Sequence, residues 1–254
     1  MTIHAEPIPA AVSGPILFAR YAYPPNRLGL CGPDDAPALI GSALDGAARE
    51  VRSLALGFEG AYPYLRLIAD ENGIADPLDR RVVEAYWLGN ELTRRVGARA
   101  LHRNVDDRFR RRMDRGAWRW LEAAVGGGAW PVHAFHVLEV YPRIGLMRGG
   151  DHGPIVEAMD ACRIRRGRVL ALNGDRLEVE ARALGLEDGR LVLSAPRVEA
   201  VRGWVGAGGL LGGVAAGDLV SLHWGWACDR LTAAQALALA GWTRQALAAA
   251  NQTI

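Results

Sequence analysis

The feature that most constrains this chain is a change of hydrophobic period near residue 159. In Asp175–Ala181, Leu177, Val179 and Ala181 alternate with Arg176, Glu178 and Glu180, the signature of a half-buried strand. Before that point apolar residues recur at helical spacing, as at Leu78, Val82, Val83, Tyr86 and Trp87. One period cannot sit still as the other, so the chain divides into a helical part, 1–158, and a strand-rich part, 159–254.

Local signals refine both halves. Asp76-Pro77 reads as an N-cap followed by proline at the first helical position, opening a helix that continues through Leu92. Asp35 before Ala36-Pro37 reads the same way. Phe109, Met113, Trp120 and Leu121 fall near one face of an arginine-rich segment that Gly126-Gly127-Gly128 ends. Downstream, Asn173-Gly174 and Asp188-Gly189 are dipeptides that accept positive φ in tight hairpins. A run with glycines at 203, 206, 208, 209, 212, 213 and 217 reads as a loop outside the core. "DLVSLHWGW" resumes as a strand, and Thr232 with Gln235 forms a capping box that starts an alanine-rich terminal helix. The expected class is α+β: a mostly helical domain, a small β-barrel, and a C-terminal helix.

Composition excludes several functions. A net charge of +2 over 254 residues calls for neither nucleic acid nor an anionic membrane. Three irregularly spaced cysteines are no disulfide framework, so a reducing cytoplasm is the expected compartment. No apolar run reaches the roughly 20 residues a membrane span needs. The arginines between Arg94 and Arg119 are diluted by Asp106, Asp107 and Asp114 and read as a solvated helical face rather than an RNA surface.

The cysteine at 162 stands directly before the first hairpin, and the C-terminal third supplies its partner. Cys162 is followed five residues on by Gly167-Arg168-Val169, and later "GDLVSLHWGWACDRLTAAQA" places Gly217, Asp218, Val220, His223, Gly225 and Ala227 in order. Together these resemble the HypC family of [NiFe]-hydrogenase maturation chaperones over residues 160–240. The resemblance implies an OB-like barrel that, with a maturation scaffold or the hydrogenase large subunit as partner, handles an iron carrying cyanide and carbon monoxide, Fe(CN)2CO. It gives Cys162 the role of iron contact and places His223 beside it, in a metallochaperone rather than an enzyme. A soft thiolate with a neighbouring imidazole suits such an iron. Arg163, Arg165, Arg166 and Arg168 are expected to favour the thiolate and attract the anionic fragment. In the family the cysteine is N-terminal and a proline precedes the glycine; here the cysteine is internal and Arg166 stands in the proline's place.

Two further constellations compete. His133, His136 and Glu139, at i, i+3 and i+6, share one side of a helix and could ligate a metal, which makes a metal-dependent enzyme with the barrel as recruitment module the alternative. Cys31, beside Gly32-Pro33, reads as part of a turn into a helix capped by Asp34 or Asp35, with a site facing the barrel as the other reading. Cys228 reads as a structural thiol.

Overall fold

A computed structural model describes residues 12–143, 153–203, 211 and 213–252. It is a mixture of helix and sheet that ends in a long helix. The helices before the sheet are α1 (Gly14–Asn26), α2 (Ala36–Leu44), α3 (Ala48–Ala55), α4 (Tyr62–Glu71), α5 (Arg80–Trp87), α6 (Glu91–Arg94), α7 (Ala98–Phe109), α8 (Arg115–Gly126), α9 (His133–Phe135) and α10 (Gly153–Cys162). The α1 sequence, GPILFARYAYPPN, is apolar on nearly every side, and accordingly almost all of it is buried at the centre of the fold.

Two helix boundaries differ from the sequence expectation. Asp76 accepts from the Leu78 backbone and makes a turn, while α5 starts later with Asp79 as its cap, accepting from the Arg81 amide. That helix stops at Trp87 because Gly89 takes φ +80° and lies under the Trp242 ring; a Cβ there would sit 2.0 Å from ring atoms. In the arginine-rich segment the buried tryptophan is Trp118, with Trp120 only half-buried, because the register restarts at the Asp114 cap of α8. The caps at Asp35 and at Thr232 with Gln235 form as expected.

The strands are β1 (Arg165–Asn173), β2 (Arg176–Ala181), β3 (Leu184–Glu187), β4 (Arg190–Leu193), β5 (Arg197–Arg202), β6 (Leu219–His223) and β7 (Trp226–Leu231). Five of them hydrogen-bond in the order β1-β2-β5-β7-β6, and β6 also pairs with β1; β3 and β4 form a separate hairpin. Leu177, Val179 and Ala181 point inward from β2, as their alternation requires. They meet Val169, Val201, Val220, Leu222 and Ala227, and also Leu211 and Val214. Part of the glycine-rich segment is therefore core; glycines 206, 208, 209 and 212 lie outside the described residues.

"DLVSLHWGW" is not one strand. Trp224 (φ 48°) and Gly225 (φ 73°) form a tight turn between β6 and β7, of the kind also made by Asp188 (φ 49°) and Gly189 (φ 74°). The sheet and the helices share a core that includes Cys162, Ile164, Trp226, Cys228 and Leu231. Polar ties cross the same boundary: Arg20 of α1 pairs with Asp229 of β7 at 2.8 Å, and the Tyr21 hydroxyl meets Ser221 Oγ of β6 at 2.8 Å. The last helix, α11 (Ala233–Ala250), bridges the two parts, with Gln235 donating to Glu84 of α5 at 2.7 Å. Its following residue, Asn251, makes two hydrogen bonds to the Leu191 backbone.

Candidate metal centre

Cys162 is the last residue of α10, so its side chain is placed by a helix end rather than by the strand it precedes. The Trp224 amide donates to the Ala161 carbonyl at 2.8 Å, which docks the β6–β7 turn onto that helix end. Positive φ at a bulky residue is strained and survives only where its surroundings enforce it. The turn leaves His223 facing Cys162. From the opposite side, α9 brings His133. The ligating atoms of His133, Cys162 and His223 lie within 4.8 Å of one another, and all three residues are buried.

Each imidazole is oriented by its other nitrogen. His223 Nδ1 lies 2.7 Å from the Tyr21 carbonyl, so Nδ1 carries the proton and donates. That carbonyl is available because its usual helical donor would be residue 25, and Pro25 has no N–H. His223 Nε2 is left buried with its lone pair and no hydrogen-bond partner among the described residues. His133 Nε2 donates to the Cys162 carbonyl at 2.9 Å and lies 3.8 Å from Cys162 Sγ. Its Nδ1 is 3.1 Å from the Tyr86 hydroxyl. That hydroxyl also lies 3.5 Å from the Gly60 carbonyl. If it donates there, it can accept from Nδ1–H, and His133 Nε2 becomes free to ligate. Trp87 stacks on Tyr21 and contacts both histidine rings, at 4.6 Å from His133 and 5.7 Å from His223.

Burial dominates the protonation states. It lowers His133 to about 4 and holds His136 and His223 well below the ordinary imidazole value, so all three are neutral near pH 7. Burial likewise pushes the Cys162 thiol up to about 12; Cys31 adds to the rise and a Trp224 side-chain hydrogen bond opposes it. A neutral thiol among neutral imidazoles is a poor nucleophile, and it becomes a thiolate when a metal displaces its proton. Thiolate and imidazole ligands around a tetrahedral metal stand about 3.5 Å apart, given M–S and M–N bonds of ~2.3 and ~2.0 Å. The His133–Cys162 pair, at 3.8 Å, is close to that spacing, and all three ligand atoms lie within 4.8 Å of one another.

These groups line a cavity of about 430 Å³ whose walls are mostly apolar and aromatic. His136 and Cys31 also line it, and burial raises the Cys31 thiol to about 12. The helical histidines and the Cys162–His223 pair thus face one space rather than two.

Comparison with known families places the whole chain. A family profile matches residues 10–254. The chain belongs to DUF6390, a family of unknown function. No curated protein and no solved structure matches it.

Not every residue singled out from the sequence reaches the cavity of this DUF6390 protein. After α9 the backbone opens into a π-helical turn over His136–Val140, which adds residues per turn. Glu139 consequently leaves the face of the two histidines and, 1% exposed, lines a different cleft beside Trp242. The four arginines do not surround the thiol either. Arg163 is engaged by Asp160 at 2.8 Å, Arg165 by Glu199 at 2.7 Å, Arg168 donates to the Gly217 carbonyl, and Arg166 is exposed. They follow the strand that leaves the helix end, and the thiol points the other way. Cys228 is fully buried, its Sγ 3.7 Å from the Trp226 carbonyl.

Sequence reading missed Tyr21, Pro25, Tyr86, Trp87 and Trp224. Only two carried a signal. Consecutive prolines inside an apolar helical run mark carbonyls without a helical donor, and Trp224-Gly225 between strand residues marks a turn.

Proposed function

We propose that this protein is a metal-handling accessory factor of the HypC type, which holds an iron fragment bearing cyanide and carbon monoxide for [NiFe]-hydrogenase assembly. In this reading the ring of five strands is a small OB-like barrel, and the iron fragment is cargo. The observation that carries the reading is the convergence of Cys162 and His223, the two residues the resemblance pairs, on one cavity with His133. Cys162 supplies the soft thiolate, His223 Nε2 the imidazole, and His133 a second imidazole once its proton moves to Nδ1. The apolar walls keep water from the diatomic ligands, and 430 Å³ leaves room for them. The helical half closes the far side of the cavity, which gives it a part in holding the cargo.

The alternative, a metal-dependent enzyme built on His133, His136 and Glu139, is weakened because Glu139 faces another cleft. Anaerobic purification of tagged protein from its native host tests the proposal, comparing wild type with Cys162→Ala. Iron with infrared bands of bound cyanide and carbon monoxide is expected in the wild type and absent from the variant. Iron without diatomic bands, or neither iron nor a hydrogenase-related partner, contradicts it.

A further inference from the structure

The arginines that leave the thiol assemble elsewhere. A groove of about 530 Å³ runs between β1 and α11, lined on the strand side by Arg163, Arg166, Arg168 and Arg182 and on the helix side by Arg244. Arg163 is consumed by its buried ion pair with Asp160. The other four are exposed, and among the described residues none of them has a carboxylate within ion-pairing distance. Arg168 and Arg182 each donate to one backbone carbonyl, of Gly217 and Ser194, which positions the guanidinium without neutralising it. The acidic residue on the wall is Glu180, the cross-strand neighbour of Arg168.

Like charges held along one groove repel, so four exposed guanidiniums with no ion-paired carboxylate among the described residues point to an anionic ligand. Guanidinium forks match carboxylates and phosphates in particular. The floor separates those two chemistries. It is aliphatic, with Ile164, Leu193, Leu219 and Leu239, and no aromatic ring among the described residues lines it. A nucleic acid strand would find charge there but nothing on which to stack its bases. Leucine-like side chains between carboxylates would satisfy floor and rim together.

We infer that this groove is a docking site for an acidic, amphipathic segment of a partner polypeptide, separate from the metal cavity. The inference does not depend on the identity of the metal cargo.

Fluorescence anisotropy with the full-length protein tests it, using three labelled probes: a peptide alternating glutamate and leucine, the same peptide with lysine for glutamate, and single-stranded DNA. Expected is saturable binding of the acidic peptide that weakens with added salt and falls at least tenfold in Arg166→Glu/Arg244→Glu. Both sites are exposed, and an unchanged unfolding midpoint in the variant shows that loss of binding is not loss of fold. No binding of the acidic peptide, equal binding by the charge-reversed variant, or tighter binding of the DNA overturns the proposal.

Discussion

At the scale of single residues, what makes His223 a ready ligand is the group that holds its other nitrogen. A proline placed in α1 leaves the Tyr21 carbonyl without its helical donor, and the imidazole takes the vacancy with Nδ1–H at 2.7 Å. Pro25→Ala would return an N–H to that carbonyl as a competitor. Loss of such an orienting bond typically weakens metal binding ~10–100-fold. We expect a weakening of about tenfold in cobalt titrations of Pro25→Ala, with its unfolding midpoint at or above that of wild type. That Cys162 and His223 come together was legible, because the sequence pairs a cysteine before the first hairpin with a histidine in a later strand. The support of His223 was not, because it lies some two hundred residues away in a helix whose prolines look like defects until their orphaned carbonyls are followed.

At the scale of elements, the site depends on how α1 seats against β6 and β7. The Arg20–Asp229 pair spans that contact with side chains only 7% and 14% exposed. Burial raises the Asp229 carboxyl despite the guanidinium beside it, so desolvation outweighs the attraction. Arg20→Met should therefore cost roughly 3–5 kcal/mol in urea unfolding by leaving a buried carboxylate unpaired. Arg20→Met/Asp229→Leu should recover most of that loss; equal destabilisation in the single and double variants would show that the pair is not the cause. Among the hairpins, Asn173-Gly174 and Asp188-Gly189 were readable from turn chemistry. The Trp224-Gly225 turn was hidden because tryptophan is not a turn residue, and its positive φ is enforced by the docking of its amide on Ala161. Likewise, the expected helical face of His133, His136 and Glu139 failed at a π turn, which no local periodicity announces.

At the scale of the molecule, a cavity roofed by helices and floored by a helix end and a hairpin turn confines three neutral imidazoles. Their lowered pKa values make the fold sensitive to acid. Between about pH 6.5 and 4 the unfolded chain binds protons at His133 that the folded chain refuses, so this stability is full above 6.5 and is lost as pH falls toward 4. From 6.5 to about 4 the loss is ~3 kcal/mol for His133 at 1.36 kcal/mol per pH unit, and His136 and His223 act in the same direction. Urea midpoints should fall markedly between pH 7.5 and 5; a flat profile would mean that the imidazoles are hydrated and readily protonated. Among the described residues no helix is long and apolar enough to cross a membrane. The division into helical and strand-rich parts was visible in the periods of the sequence. Their shared core was not, because it depends on contacts between α1, near one end of the chain, and β6 and β7, near the other.

The proposed metal centre requires Cys162 to act as a thiolate ligand beside His223 and His133. Anaerobic titration of the purified protein with Co(II), followed by absorption, tests this most directly. It should give a saturable thiolate-to-cobalt charge-transfer band with the visible spectrum of a low-coordinate ion. Cys162→Ala should abolish the charge-transfer band, and His223→Ala should weaken binding while the band persists. A band unchanged in Cys162→Ala, or no band in the wild type, would contradict the assignment of this cavity as a metal centre.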